Sequence, residues 1–164
     1  MADSSEFESI CPYNDAEAVE ALNKVANHPA VLAISEYLFP DEPITFLRNA
    51  LKSVHNIDEF QEIVMNKAVS WVMDHTIHNF SYDGISYIKE LKGKFLAMSN
   101  HRDIILDPAI TQQVLFRNGI PMTEICVGDN LIKQSKTVEY LLRSNRMIRV
   151  IRGISARELY LSSQ

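Results

Sequence analysis

Cys11 and Cys126 are the only two cysteines in the chain. So few rule out a disulfide scaffold and any zinc cage built on paired cysteines, and they suit a reducing compartment. Glycine is scarce, five in 164 residues, and no Gly/Ser-rich linker or internal repeat divides the sequence. No apolar run approaches the ~20 residues of a membrane span. The opening MADSSEFESI has neither the basic nor the apolar region of a secretory signal. Positive charge is in deficit: 16 Lys+Arg against 21 Asp+Glu give a net charge of -5. That argues against general electrostatic binding of nucleic acid.

What remains is ordinary globular composition, 46% hydrophobic and 23% charged. A mass of 18.7 kDa is that of one domain or of two small lobes sharing a core. Charge is unevenly spread. Up to Glu42, Lys24 is the only Lys or Arg, and the acids there read as a solvated helix surface. Arg143, Arg146, Arg149, Arg152 and Arg157 crowd the other end.

Residues 1–79 read as a helical region. Asn14 with Glu17 has the spacing of a capping box, followed by Val19, Leu22, Val25 and Ala26 at helical intervals. VLAISEYLF is a short helix ended by Pro40, and Pro43 opens the next. Asn56 and Glu59 repeat the capping signature. Phe60, Ile63, Val64, Ala68, Trp71, Val72 and His75 then share one helical face, which predicts a core position for His75.

After Ile77 the pattern changes. FSYDGISYI carries strand-forming residues around a turn at Asp83-Gly84. FLAMS, IPMTEICV and MIRVI read as buried strands, separated by helices through Ile104–Leu115 and Leu131–Leu142. Ser155 with Glu158 would cap a last helix. This order predicts an α/β fold: an N-terminal helical region, then, over residues 80–164, a partial, mainly parallel sheet with right-handed crossovers.

Functional residues of open α/β sheets gather past the C-terminal ends of strands. FLAMS ends in Ser99-Asn100-His101-Arg102-Asp103, with Asp107 four residues on. A carboxylate that fixes an imidazole's tautomer suits it to act as a general base; a surface or helix-capping pair is the structural alternative. The HRD triplet is not a kinase catalytic loop, because Pro108 stands where that motif needs Asn and no glycine-rich loop occurs. Ser99 lacks the Gly-x-Ser-x-Gly elbow of a serine nucleophile. His28 and His55 lie near helix ends. His75 and His78 are three apart, but no carboxylate or thiol pattern accompanies them, so no metal is expected. Along the third strand, Arg149 and Arg152 point to opposite faces. A guanidinium there forms either a structural ion pair or a phosphate-binding fork.

MSNHRDIILDPA resembles the NHxxxxD block of the glycerol-phosphate acyltransferases, the family of glycerol-3-phosphate and lysophosphatidate acyltransferases. The resemblance runs from about Phe80 to Gln164. YDGISYIKELKGKFLAMSNHRD is similar to the family's lead-in, EICVGDNLIK to its second strand and NRMIRVIRG to its G-x-I-F-I-D-R block. It implies that His101 deprotonates an acceptor hydroxyl, which attacks the thioester of acyl-CoA or acyl-carrier protein. It also implies that a carboxylate orients His101 and that Arg152, with Arg149 nearby, holds the acceptor's phosphate. The family's Asp position is occupied by Leu106, so Asp107 is the preferred carboxylate and Asp103 the competitor.

The acceptor would be a glycerol phosphate or a lysophospholipid, in phospholipid synthesis, with no cofactor and no nucleic-acid partner. The expected location is cytoplasmic, with peripheral contact at the inner face of the cell membrane. The family's E-G-T-R-S-like block does not occur before Gln164, so the chain is expected to be the N-terminal part of a longer enzyme and inactive alone. A non-catalytic lipid-phosphate or acyl-carrier-protein binding module, and a thioester hydrolase, are the competing readings.

Overall fold

The computed structural model describes residues 8–100 and 102–151. They form a mostly helical structure with a small parallel sheet. Helix α1 (Asp15–Ala26) starts at the expected capping box. The Asn14 carboxamide oxygen accepts the Glu17 N–H at 3.0 Å, and the Glu17 carboxylate accepts the Asn14 N–H at 2.9 Å. Helices α2 (Val31–Leu38) and α3 (Phe46–Ser53) follow. Ser35, fully buried, accepts the Leu47 N–H at 3.2 Å and so ties α2 to the start of α3.

The next helix is not uniform. It runs as α4 (Ile57–Phe60), a π-helical stretch (Gln61–Asn66) and α5 (Lys67–Thr76). Asn56 caps its start by accepting the Glu59 N–H at 2.8 Å, while the Glu59 carboxylate reaches the His55 N–H. A π turn shifts the helical phase. Phe60, Val64 and Ala68 enter the core as expected, but Ile63, expected on the same face, is exposed, and further along Met73 is buried and His75 is exposed. The expectation of a core His75 is therefore wrong: the ring stacks on Trp71 at 4.4 Å, and its Nδ1 lies 2.8 Å from the Trp71 carbonyl oxygen.

Leu22, Val31, Phe39, Leu51, Val54 and Phe60 centre the core. Tyr140 and Leu141 pack against it from the other half of the sequence. They lie on α9, below, and Arg143 on the same helix donates to the Cys11 carbonyl at 2.9 Å and the Glu8 carbonyl at 2.9 Å.

Beyond Ile77 the first two strand expectations fail. The Asp83-Gly84 turn is present, with Gly84 at φ 79, but it leads into helix α6 (Ile85–Glu90) instead of a strand. Gly tolerates this left-handed backbone, and Asp83 accepts its N–H at 2.7 Å. FLAMS forms no strand among the described residues. Helix α7 (Leu106–Arg117) ends at Asn118-Gly119 as the sequence indicates. Strand β1 (Ile125–Gly128) takes only the end of IPMTEICV. Two helices, α8 (Asp129–Ile132) and α9 (Lys136–Ser144), cross over to β2 (Met147–Val150). The strands pair in parallel, Ile125 opposite Met147 and Val127 opposite Arg149. The expected last helix from Ser155 lies outside the described residues.

Candidate functional site

The segment after position 101 is built by two carboxylates that bond the backbone in opposite directions. Asp103 Oδ1 accepts the N–H groups of Ile105 at 2.8 Å and Leu106 at 2.7 Å, capping the start of α7. Asp107, in the first turn of α7, reaches back. Its Oδ2 accepts the N–H groups of Arg102 at 2.7 Å and Asp103 at 2.8 Å. A negative charge at a helix N-terminus is also favoured by the helix dipole. The other oxygen of Asp107, Oδ1, makes no hydrogen bond among the described residues. His101 itself lies outside the described residues, as does Arg152.

This loop borders an open cavity of about 1230 Å³. Ser99 and Asp107, on either side of position 101 in the chain, both line it. The walls are largely apolar and include Leu91, Phe95, Met122 and Val127. Gln112 braces the far wall: its amide donates to Thr123 Oγ1 at 2.8 Å and accepts the Thr123 N–H at 2.8 Å. A second cavity of about 400 Å³ shares Ile104, Pro108 and Met147 with the first and extends toward the π-helical stretch at Met65 and Asn66.

Arg149 stands apart from the two carboxylates and lines neither cavity. Its Nη2 lies 3.5 Å from Asp129 Oδ2, and both side chains are mostly buried. Lys133 Nζ meets the same oxygen at 2.6 Å. That ammonium, with Arg149 adding to it, holds the Asp129 carboxyl below the usual carboxylate range. The Nε of Arg149 is buried without a partner among the described residues. The ion-pair alternative for Arg149 is thus present in the structure. Asp129 was not singled out from the sequence. Its signal was an acid directly after the glycine that ends β1, in GDN.

Among the described residues no group of three or more His, Cys, Asp or Glu is placed to hold a metal ion. Nor is any helix there long and apolar enough to cross a membrane. Compared with protein-family models, with curated proteins and with solved structures, the chain finds no match.

Proposed function

We propose that the protein is an O-acyltransferase of the glycerol-phosphate type, moving a fatty acyl group from a thioester of coenzyme A or acyl-carrier protein to the hydroxyl of a glycerol phosphate or lysophospholipid. The observation that carries this reading is the double role open to Asp107. One oxygen fixes the two residues that directly follow His101, and the other is left for an imidazole, at the edge of a cavity with apolar walls. In this reading the His101 imidazole takes the proton of the acceptor hydroxyl. The oxygen attacks the thioester carbonyl, the C–S bond breaks, and the thiolate leaves with the proton from the imidazolium. Asp107 holds the imidazole's tautomer and stabilises its charged form. Arg152 binds the acceptor phosphate.

The test is transfer of labelled acyl groups from acyl-CoA and from acyl-carrier protein to glycerol-3-phosphate and to lysophosphatidate, by the full-length protein that carries this sequence. His101→Ala is expected to lower transfer by roughly 10²–10⁴-fold with an unchanged far-UV CD spectrum. Thiol release without an ester product would make the protein a hydrolase. Donor or acceptor binding without turnover would make it a binding module.

A further inference from the structure

The smaller cavity, about 400 Å³, is of a size that encloses a small organic molecule. The π-helical stretch gives it Gln61, Met65 and Asn66, α7 gives Ala109, and α9 gives Leu141 and Leu142. None of the described residues lining it is charged, and every polar side chain among them is a carboxamide. Most of these amides are engaged elsewhere. Gln61 bonds Asn145 and Arg146, Gln112 bonds Thr123, and Gln113 donates to Ser70 Oγ at 2.8 Å. Gln134 is exposed. Asn66 is different: its Oδ1 is buried with no hydrogen-bond partner among the described residues. The other buried side-chain atoms in that condition, on Trp71, Ser144 and Arg149, belong to residues that line neither cavity.

We infer that this cavity is a binding site for an uncharged, largely apolar molecule that carries a hydrogen-bond donor, an O–H or N–H given to Asn66 Oδ1. Charge is excluded because an ion moved between uncharged walls loses its water and gains no counter-ion. The donor is required because a buried carbonyl oxygen without a partner has lost its hydration for nothing in return. The backbone points the same way. A π-helical stretch is rare and recurs at functional sites, and Asn66 is the last residue of this one. A fatty acyl chain has no donor and would leave Oδ1 unsatisfied, so the site is distinct from one for the acyl group. The inference does not depend on the acyl-transfer reading.

Three probes built on one ring system test it at pH 7: 1-naphthol, 1-methoxynaphthalene, which lacks the donor, and 1-naphthoate, which carries a charge. Isothermal titration calorimetry on the full-length protein reads each affinity. The wild type is expected to bind 1-naphthol at least tenfold more tightly than either of the others, since a site built around a hydrogen bond rejects the analogue that cannot make it. In Asn66→Leu, which is similar in volume, 1-methoxynaphthalene should still bind and the preference for 1-naphthol over it should fall below twofold. Ala109→Phe, which puts a ring into the cavity, should weaken both neutral probes at least tenfold. Far-UV CD checks that each variant is folded, and the comparison of the three probes on the wild type needs no variant. The competing partner for Oδ1 is a water molecule. In that case 1-naphthol and 1-methoxynaphthalene bind alike or not at all, and the inference is overturned. It is overturned equally if the tenfold preference survives in folded Asn66→Leu, or if folded Ala109→Phe binds the neutral probes as the wild type does.

Discussion

Gln61→Leu is the most informative stability experiment, because one side chain joins the helical region to the turn before β2. Gln61 is 2% exposed and begins the π-helical stretch. Its amide donates to Asn145 Oδ1 at 3.1 Å and accepts from Arg146 Nε at 3.1 Å. Arg146 sits in the left-handed region at φ 57, where a non-glycine residue needs support. Leucine nearly conserves the volume, so packing changes little. What changes is that an acceptor and a donor lose their partner, at about 1–3 kcal/mol each when left unsatisfied. Arg146 keeps Asp58 at 2.6 Å, so the low end of that range applies to it. The expected loss is about 2–4 kcal/mol, roughly 30- to 1,000-fold in the folding equilibrium. Urea unfolding, followed by far-UV CD and by the fluorescence of Trp71, measures it. The two probes should coincide, since Trp71 reports on the helical region and CD on the whole. A loss below about 0.5 kcal/mol, or additivity of Gln61→Leu with Asn145→Ala, would refute the reasoning.

Three further outcomes are expected. Leu22→Ala empties a fully buried position at the centre of the core and should cost about 2–5 kcal/mol in the same urea assay. Asp103→Ala removes the cap of α7 and should cost about 1 kcal/mol. Acid should destabilise the fold. The His55 N–H holds the Glu59 carboxyl below its ordinary 4.5, and Lys133 does the same for Asp129 below 3.8. The unfolded chain therefore binds these protons first. This stability is present above about pH 4.5 and is lost as the pH falls through the lower folded values. A urea midpoint followed from pH 6 to pH 3 should fall, and fall less steeply in Asp129→Asn.

The parts of the fold that could be read from the sequence are those set by local chemistry. The Asn14–Glu17 box needs only two residues at the right interval, and it formed as spaced. MIRVI paired in parallel with the end of IPMTEICV because both are short apolar runs and the helices between them carry the chain back alongside. The π turn at Gln61–Asn66 leaves no mark in a 3.6-residue pattern, so the faces of Trp71, Met73 and His75 came out one step off. FSYDGISYI has strand composition, yet Gly84 turns its end into a helix, and all three of its aromatic residues are exposed. FLAMS shows the limit of propensity most plainly. A strand forms only when its backbone meets a partner, and FLAMS has none among the described residues. The packing of Tyr140 and Leu141 into the N-terminal core was equally invisible, being a contact between distant parts of the chain.

Counting residues from His101 prefers Asp107, one past the family's interval, and keeps Asp103, two positions away, as the competitor. The helix start gives the two carboxylates different backbone partners. A first turn doubles the chain back, so Asp107 lies against the N–H groups of Arg102 and Asp103 although it is far along the sequence. Asp103, though nearer, turns one oxygen toward Ile105 and Leu106. Asp107→Asn separates holding the loop from acting on His101. The amide oxygen still accepts both N–H groups, so stability should stay within about 0.5 kcal/mol of wild type, as expected away from core and cap disruption. The charge that stabilises an imidazolium is gone, so kcat for acyl transfer should fall at least tenfold. Asp107→Ala should lose both. If Asp107→Asn transfers at the wild-type rate while Asp103→Asn is inactive and equally stable, Asp103 is the residue that orients His101, and Asp107 serves only the loop.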